Sequence, residues 1–260
     1  MSRLAVQSSS MKRLAGRKLL LALALLVLCA ATAAAQRFRQ RSTDFGVRVP
    51  YDGRFTLARL MYPRYGGWAY DWPEMEHNLG QIVASLSMIR PTPDGNNLFQ
   101  MDDEELLKYP IAYISEPGYW FPTDSEAAAL RTYLMKGGFL IIDDFHFYNE
   151  WRVFEAAIRR VLPDHRIEEL SLAHPVFHSF FEIKSLKVPY PGGLGRQGLM
   201  GEFYGIHEGS DPSRRLMVMI NYNMDLGDYM EWSATGVYAV DPTNEAYKFF
   251  INYLVYGFTH

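Results

Sequence analysis

The feature that most constrains the fold is the segment Phe139 to Ile142, which is apolar at every position. A strand with one solvent face alternates apolar and polar residues, so an unbroken apolar run predicts a strand that is covered on both faces. A helix precedes this run, because Thr123 and Glu126 form a capping-box pattern and Gly137 stands where a left-handed residue commonly closes a helix. The unit predicts a central strand in a parallel sheet with helices on both sides.

The alternation of short apolar runs with helical periods continues from Arg54 to the end of the chain, which is typical of α/β layer structures. Further predicted strands are Phe55 to Tyr62, Asn97 to Gln100, Ile111 to Ser115, Arg166 to Leu170, Phe203 to His207 and Leu216 to Tyr222. Predicted helices are Leu79 to Ile89, Asp102 to Lys108, Ala127 to Met135, Trp151 to Val161 and Asn244 to Phe258. We therefore expect a single α/β domain over residues 53–260, with a doubly wound, mainly parallel sheet and a Pro- and Gly-rich loop at 188–201.

The N-terminus has the features of a secretory signal peptide. Four basic residues between Lys12 and Lys18 precede an apolar run from Leu19 to Leu28, and Ala33-Ala34-Ala35 fits the small-residue cleavage pattern. The apolar run is shorter than the roughly 18 to 20 residues of a spanning helix. We expect cleavage after Ala35, a basic linker over residues 36–52, and an exported protein, periplasmic or extracellular, without a stable transmembrane anchor. Retention of the signal as an anchor and a start at Met11 are the alternatives.

Charge and cysteine content restrict the chemistry further. The formal charge of the whole chain is −3. Residues 1–35 carry five of its 26 basic residues and none of its 29 acidic ones, so the remainder carries −8. An acidic domain disfavours nucleic acid as a partner and favours cations, neutral glycans or basic protein surfaces. Cys29, the single cysteine, lies in the signal, so thiolate catalysis is excluded for the mature chain.

Polar residues follow the predicted central strand at its carboxyl end, where ligands bind in open parallel sheets. Carboxylate and imidazole groups bind divalent metals, and the same groups serve as a general base with its orienting partner. The predicted ligands of a divalent metal are Asp143, Asp144, His146 and His174. The predicted catalytic residues are Asp144, His146 and Glu116, with Asp71 as a further candidate from another loop. The alternatives are that an aspartate only caps a helix and that His174 only stabilises a turn.

Aromatic residues follow two other predicted strand ends. Because Trp and Tyr at the mouth of a cleft stack on ligands, we predict a binding rim there. Its predicted residues are Tyr65, Gly66, Gly67, Trp68, Tyr119 and Trp120. The alternatives are a tight turn at the glycine pair and a lid of aromatic rings that packs over the core.

Several of these segments together resemble a bacterial family, the domain of unknown function 4159. The segments are Phe55 to Tyr62, Tyr65 to Trp68, Tyr109-Pro110, Glu126 to Tyr133, Gly137 to Asp144 and His174 to His178. The resemblance covers nearly all of residues 54–258 and implies a class I glutamine amidotransferase-like fold, which is a flavodoxin-like doubly wound sheet. Glutamine amidotransferases place a nucleophilic cysteine after a central strand, where this chain has Asp143-Asp144, so amidotransferase activity is not expected.

Two classes of function remain open. The first is an exported binding or assembly module that holds a small molecule, a glycan or an envelope protein in its cleft. The alternative is a carboxylate- and histidine-dependent hydrolase, assisted by a metal, in which Asp144 and His146 act with Glu116. No complete catalytic set is visible in the sequence, which favours the binding module.

Overall fold

The computed structural model describes residues 49–63 and 66–260. The predicted signal peptide, most of the predicted basic linker and Tyr65 lie outside the described residues. Residues Val49–His260 form one compact unit. Among the helices of the described residues, none is long and apolar enough to cross a membrane.

Over residues 49–63 and 66–260, a mixed sheet of seven strands forms the middle layer of the domain. Its strands are β1 (Phe55–Met61), β2 (Pro91–Gln100), β3 (Ile111–Ser115), β4 (Phe139–Asp143), β5 (Glu168–Glu169), β6 (Glu202–His207) and β7 (Leu216–Tyr222). They are ordered β2-β1-β3-β4-β7-β6-β5 across the sheet. The first five strands in this order are parallel, whereas β6 is antiparallel to β7 and β5 is antiparallel to β6. The carboxyl ends of β1, β3, β4 and β7 therefore lie along one edge.

Helices cover both faces of this sheet. They are α1 (Glu74–Leu86), α2 (Asp124–Met135), α3 (Phe147–Val161), α4 (Gly192–Arg196), α5 (Leu226–Glu231) and α6 (Val240–Thr259). Phe139 and Ile141 of β4 pack in a core with α1 and α6. Leu140 and Ile142 are also fully buried and point to the other face, because successive side chains of a strand alternate. The prediction of an α/β domain with a mainly parallel sheet flanked by helices is confirmed.

The capping box predicted before α2 is also confirmed. The Thr123 hydroxyl accepts a hydrogen bond from the backbone N–H of Glu126 at 3.2 Å, and the Glu126 carboxylate accepts one from the backbone N–H of Thr123 at 2.7 Å. Each side chain thus satisfies a backbone donor that the first turn of a helix leaves free.

Element bounds differ from the predictions where proline or short spacing blurs the pattern. β2 begins at Pro91, well before the predicted Asn97, because proline is tolerated in a strand at the edge of a sheet. α3 and α6 each begin four residues earlier than predicted, at Phe147 and Val240. α1 covers Glu74–Leu86 and not Leu79 to Ile89, and α5 was not predicted. Further differences are a 3-10 helix at Glu104–Lys108, a two-residue β5 and a short helix, α4, inside the predicted loop.

Candidate functional site

The candidate site lies at the carboxyl edge of the parallel strands. The chain passes from β1 to β2 on one side and then crosses to β3 on the other side of β1. Such a reversal of strand order creates the crevice in which ligands of open α/β sheets bind. Ser115 and Asp143 are paired in register at the ends of β3 and β4, so the residues that follow them enter the same region.

Three aspartates from separate chain segments converge there, and we call them the carboxylate triad. Asp71 follows the 3-10 helix Gly66–Ala69, Asp144 follows β4, and Asp225 follows β7. One carboxylate oxygen from each lies within 4.8 Å of the others. Their residues are only 3%, 6% and 6% exposed, so the three carboxyl groups are close together and largely removed from water.

The backbone holds Asp144 firmly against the end of β7. Its N–H donates to the carbonyl of Met224 at 3.0 Å, and its φ of 60° places it in the left-handed region. A non-glycine residue there is strained, and such strain is concentrated at functional sites. Glu116, which follows β3 at the equivalent position, has a similar φ of 53°. Both carboxyl-bearing residues therefore leave their strands with the same unusual turn.

A second group of carboxylates adjoins the triad and shares Asp71 with it. Asp71, Asp228 and Glu231 also have ligand atoms within 4.8 Å of one another. Asp225 accepts a hydrogen bond from the backbone N–H of Asp228 at 2.7 Å and so caps α5. Asp225, Asp228 and Glu231 are spaced by three residues, which places them along one face of this short helix.

Few protein donors serve the triad. The Ser115 hydroxyl lies 3.3 Å from Asp71 Oδ2 and 3.2 Å from Asp144 Oδ2, but it has one proton to donate. The Tyr190 hydroxyl is 3.3 Å from Asp144 Oδ1. Apart from the helix-cap bond to Asp225 and a hydrogen bond between the side chains of Asp144 and Asp225, these hydroxyls supply the hydrogen bonds that the described protein donors make to the three carboxyl groups. The acceptors of the triad therefore exceed their donors.

Asp143 has the opposite environment. Its carboxylate accepts hydrogen bonds from the Tyr113 hydroxyl, the Asn221 amide and the backbone N–H groups of Leu226 and Gly227, at 2.9 to 3.1 Å. The two backbone donors belong to the first turn of α5, so Asp143 caps this helix from the end of β4. The Asp143 carboxylate therefore has a complete set of hydrogen-bond partners in the interior. It has no free oxygen to offer as a metal ligand.

Burial and mutual repulsion set the proton affinity of the triad. Burial raises the pKa of Asp144 and the pKa of Asp225 well above the usual range; the charge of Asp71 adds to the shift in both, and the charge of Asp144 adds to the shift in Asp225. A side-chain hydrogen bond between them opposes this shift in Asp144. Burial also raises the pKa of Asp71, although the positive charge of Arg59 acts in the opposite direction. Burial and neighbouring negative charges therefore oppose the ionisation of all three groups, and a bound cation would favour it.

Carboxyl groups around the triad show the same effect. Burial, with the charges of Glu150 and Asp71, raises the pKa of Glu116 to about 7. Burial, with the charges of Asp71, Asp228 and Glu74, raises the pKa of Glu231 to about 7. The region thus contains carboxyl groups that exchange protons near neutrality.

Arg59 is a buried cation next to the triad, yet its charge is already balanced. Its Nε donates to Glu76 at 2.5 Å, and its guanidinium lies 4.8 Å from the centre of the Tyr113 ring. A second nitrogen donates to the carbonyl of Trp68 at 2.6 Å, which holds the turn that leads to Asp71. Because Glu76 neutralises it, Arg59 positions the site and does not cancel the charge of the triad.

The predicted histidines do not join the triad. His146 precedes α3, with its Nδ1 3.5 Å from a Glu150 carboxylate oxygen and its ring 5.2 Å from that of Tyr190. His174 lies at the opposite edge of the sheet, 3.1 Å from His207 between their Nε2 atoms. This separation follows from topology, because antiparallel β6 brings His207 to the first residue of β7. The structure therefore does not bring His174 together with Asp143 and Asp144.

The predicted aromatic rim requires a similar correction. Trp120 is fully buried and its indole N–H contacts Met101 Sδ at 3.1 Å, while Trp68 is also in the core. Their rings are therefore not available to a ligand, and Gly66 and Gly67 form a 3-10 turn as in the alternative interpretation. Tyr119 is half-buried. The rings exposed on the loops and helix starts of this edge are Tyr70, Phe121, Phe147 and Tyr148.

Sequence reasoning named Asp71 and Asp144 but missed Asp225, Asp228 and Glu231. Two signals point to them. Asp225 follows the buried strand β7 just as Asp144 follows β4, and the carboxyl ends of parallel strands meet at one edge. The spacing of three between the acids also places them on one face of a helix.

Comparison with known proteins identifies the family of this chain. The sequence profile of the domain of unknown function DUF4159 matches residues 56–258. No curated protein matches the chain significantly. The match covers the whole sheet apart from the first residue of β1, together with the carboxylate triad. The chain belongs to the DUF4159 family.

Proposed function

We propose that this domain is a binding module whose carboxylate triad holds a divalent cation. One observation carries the proposal: three buried carboxyl groups from separate segments converge within 4.8 Å and share too few donors among the described residues. Unpaired negative charges in a protein interior are very unfavourable, so either protons or a cation must compensate them. Asp143, one residue from Asp144, has all its partners, which indicates that the deficit belongs to the triad in particular.

The ligand chemistry favours a hard cation. Asp71, Asp144 and Asp225 offer oxygen atoms alone, and Mg²⁺, Ca²⁺ and Mn²⁺ prefer carboxylate oxygens to nitrogen or sulfur. His146 and His174, which we predicted as ligands from the sequence, are left out of the proposed site because their imidazoles face other partners. Asp143 is proposed as a positioning residue, since it fixes the first turn of α5 and through it Asp225.

We propose a flavodoxin-like scaffold similar to the class I glutamine amidotransferases. The order β2-β1-β3-β4-β7 of the parallel strands supports this proposal, because it follows the flavodoxin pattern of strand order. Residues 36–260 contain no cysteine, so transfer through a thioester is not part of the proposed function. The signal-like N-terminus supports export to the periplasm or the medium. The acidic charge supports a small molecule, a glycan or an envelope protein as the partner, rather than nucleic acid.

A metal-assisted hydrolase is the second candidate, and Glu116 is the observation that favours it. Its pKa is raised to about 7, and its negative charge raises that of Asp144, so it lies close to the triad. A carboxyl group that titrates near neutrality is suited to accept a proton from an attacking water. A cation at the triad would polarise that water or the substrate.

The direct test is titration of the purified, chelator-treated protein with Mg²⁺, Ca²⁺ and Mn²⁺ by calorimetry. We expect saturable binding of at least one of these ions, with affinity lowered at least about tenfold in Asp144→Asn and in Asp225→Asn. Asp102→Asn, which changes an exposed aspartate, is the matched control and should bind as the wild type does. Absence of saturable binding, or equal binding by Asp144→Asn, would overturn the proposal.

The hydrolase candidate needs its own assay. Wild-type protein saturated with the bound ion would be tested on chromogenic ester and phosphoester substrates, beside Glu116→Gln. Hydrolysis that depends on both the ion and Glu116 would support the hydrolase. Ion binding without ion-dependent hydrolysis would leave the binding module as the function.

A further inference from the structure

Two histidines meet at the edge of the sheet opposite the carboxylate triad. His207 ends β6 and is only 2% exposed, whereas His174 is half-buried and begins the 3-10 helix Pro175–Phe177. Their Nε2 atoms are 3.1 Å apart, and His207 Nδ1 lies 3.5 Å from a carboxylate oxygen of Glu168 on β5. These three side chains join the turn after β5 to the end of β6, and we call them the histidine clasp.

Hydrogen bonding fixes where each ring carries its proton. The backbone N–H of Val176 donates to His174 Nδ1 at 3.1 Å, so Nδ1 is an acceptor and the neutral ring carries its proton on Nε2. The Nε2–H of His174 then donates to His207 Nε2. Neutral His207 therefore carries its own proton on Nδ1, which faces Glu168. The chain of donors therefore runs in one direction, from Val176 to Glu168.

This arrangement has no place for an added proton. A second proton on His174 would occupy Nδ1, where the N–H of Val176 points, and a second proton on His207 would occupy Nε2, where the N–H of His174 points. In either case two donors face each other and one hydrogen bond is lost. The neutral state of both rings is therefore required for the clasp to remain closed.

Burial lowers the pKa of both histidines and so favours their neutral forms. Burial, together with the neighbouring His207 and His260, lowers the pKa of His174 to about 4. Burial also lowers the pKa of His207, although Glu168 on β5 and Asp211 in the loop after β6 oppose the shift. From α6, the ring of Tyr256 lies 6.1 Å from that of His174.

We propose that the histidine clasp is an acid-sensitive latch, closed at neutral pH, that releases the turn Pro175–Phe177 from the end of β6 when either histidine is protonated. A transition-metal ion bridging the two Nε2 atoms is the competing use of the same pair. Such an ion would require a proton on His174 Nδ1, the position that accepts the Val176 N–H. The geometry therefore favours the proton-sensitive latch.

Two measurements on the full chain test the proposal. Nitrogen-15 NMR of the imidazoles reads the tautomers directly, and we expect the Nε2–H form for His174 and the Nδ1–H form for His207. Hydrogen exchange then follows the Val176 amide, whose protection factor should fall at least about tenfold between about pH 7 and about pH 4. In the double variant His174→Asn with His207→Gln neither side chain can take up a proton, while the amide oxygen at position 174 can still accept from the Val176 N–H, so this pH dependence should be much smaller.

His77→Gln is the matched control, because His77 is exposed on α1, and it should behave as the wild type does. The tautomer measurement needs no variant, so the proposal stays testable if the double variant does not fold. Reversed tautomers, an unchanged protection factor of the Val176 amide across this pH range, or stoichiometric Zn²⁺ binding that His174→Asn abolishes would each overturn the latch. None of these results depends on cation binding at the triad.

Discussion

Asp143 and Asp144 are adjacent at the end of β4, yet their carboxyl groups have opposite environments. Asp143 accepts four hydrogen bonds, two of them from the first turn of α5. Asp144 contacts two hydroxyls at 3.2 and 3.3 Å, and Asp71 competes for the proton of one of them. The first aspartate stabilises the fold, and the second carries an unfavourable charge that the proposed cation would neutralise.

Substitution by asparagine should separate these two roles. In Asp143→Asn the new NH₂ group faces a donor from Asn221 or from the start of α5, and we expect the free energy of unfolding to fall by about 1 to 3 kcal/mol. Asp144→Asn removes a group repelled by its neighbours, so without cation the stability should be unchanged or increased. Urea unfolding in the presence of a chelator measures both, and a larger loss in Asp144→Asn would contradict the assignment.

Gly227 should be essential for the geometry of the triad. A Cβ at this position would lie 2.5 Å from Asp71 Oδ2 and 2.9 Å from the Tyr113 hydroxyl. Gly227→Ala should therefore displace Asp71 and weaken cation binding by about tenfold or more, a shift of roughly 1.4 kcal/mol. In the control Gly193→Ala, the Cβ meets its nearest neighbour, Arg196, at 3.8 Å, and binding should not change. Calorimetry compares the two, and equal affinities would exclude this role of Gly227.

Arg59 and Glu76 should behave as one buried ion pair. Both side chains are fully buried, and the second carboxylate oxygen of Glu76 has no hydrogen-bond partner in the described part of the chain. Arg59→Met leaves the Glu76 charge uncompensated and should lower the free energy of unfolding by about 3 to 5 kcal/mol. Adding Glu76→Met should recover part of this loss. A double-mutant cycle measures the coupling, and strictly additive losses would show that the pair acts as two independent residues.

Buried carboxyl groups and the buried His174 should shift the stability of the protein in opposite directions over the same pH range, about 4 to 7. Burial raises the pKa values of Asp143, Glu116 and Glu231 to about 7. These groups are protonated in the folded state after the unfolded chain has ionised, so their contribution is lost as the pH rises through about 7. The depressed pKa of His174, about 4, has the reverse effect, since its contribution is lost as the pH falls from about 6.5 to about 4.

The two ranges overlap, and the three carboxyl groups together outweigh the single histidine, so we expect the stability of the cation-free protein to fall as the pH rises from about 4 to about 7. Cation binding should raise stability most on the alkaline side, because ligand carboxylates must lose their protons before they coordinate an ion. Unfolding midpoints measured with chelator and with excess Mg²⁺ across this range check the prediction. A stability that rises steadily with pH in the presence of chelator would contradict it.

The fold could be predicted from the sequence more completely than the residues of the site. The fully apolar run Phe139 to Ile142 and the capping box at Thr123 identify a buried strand and the helix before it, because each depends on neighbours in the chain. β2 was placed too late because Pro91 suggests an end to regular structure, whereas an edge strand tolerates it. Local sequence patterns thus predict that a helix or strand is present better than they predict the residues at which it begins and ends.

Which residues come together in the site depends on the order and direction of the strands in the sheet. His174 was grouped with Asp143 and Asp144 because histidine and carboxylate suit a metal, and nothing local indicates that β6 is antiparallel. Trp120 follows a strand end as a ligand-binding ring would, yet its side chain turns into the core. Asp225 was missed because its significance appears only when β7 is known to lie next to β4.

The most direct test of the carboxylate triad is the anomalous scattering of Mn²⁺ in crystals of the protein. Our account predicts a strong peak among Asp71, Asp144 and Asp225, at about 2 to 2.5 Å from an oxygen of each, with His146 and His174 outside the coordination sphere. Crystals of Asp144→Asn should lack this peak. A fully occupied ion elsewhere, with the triad empty at saturating Mn²⁺, would contradict the central claim.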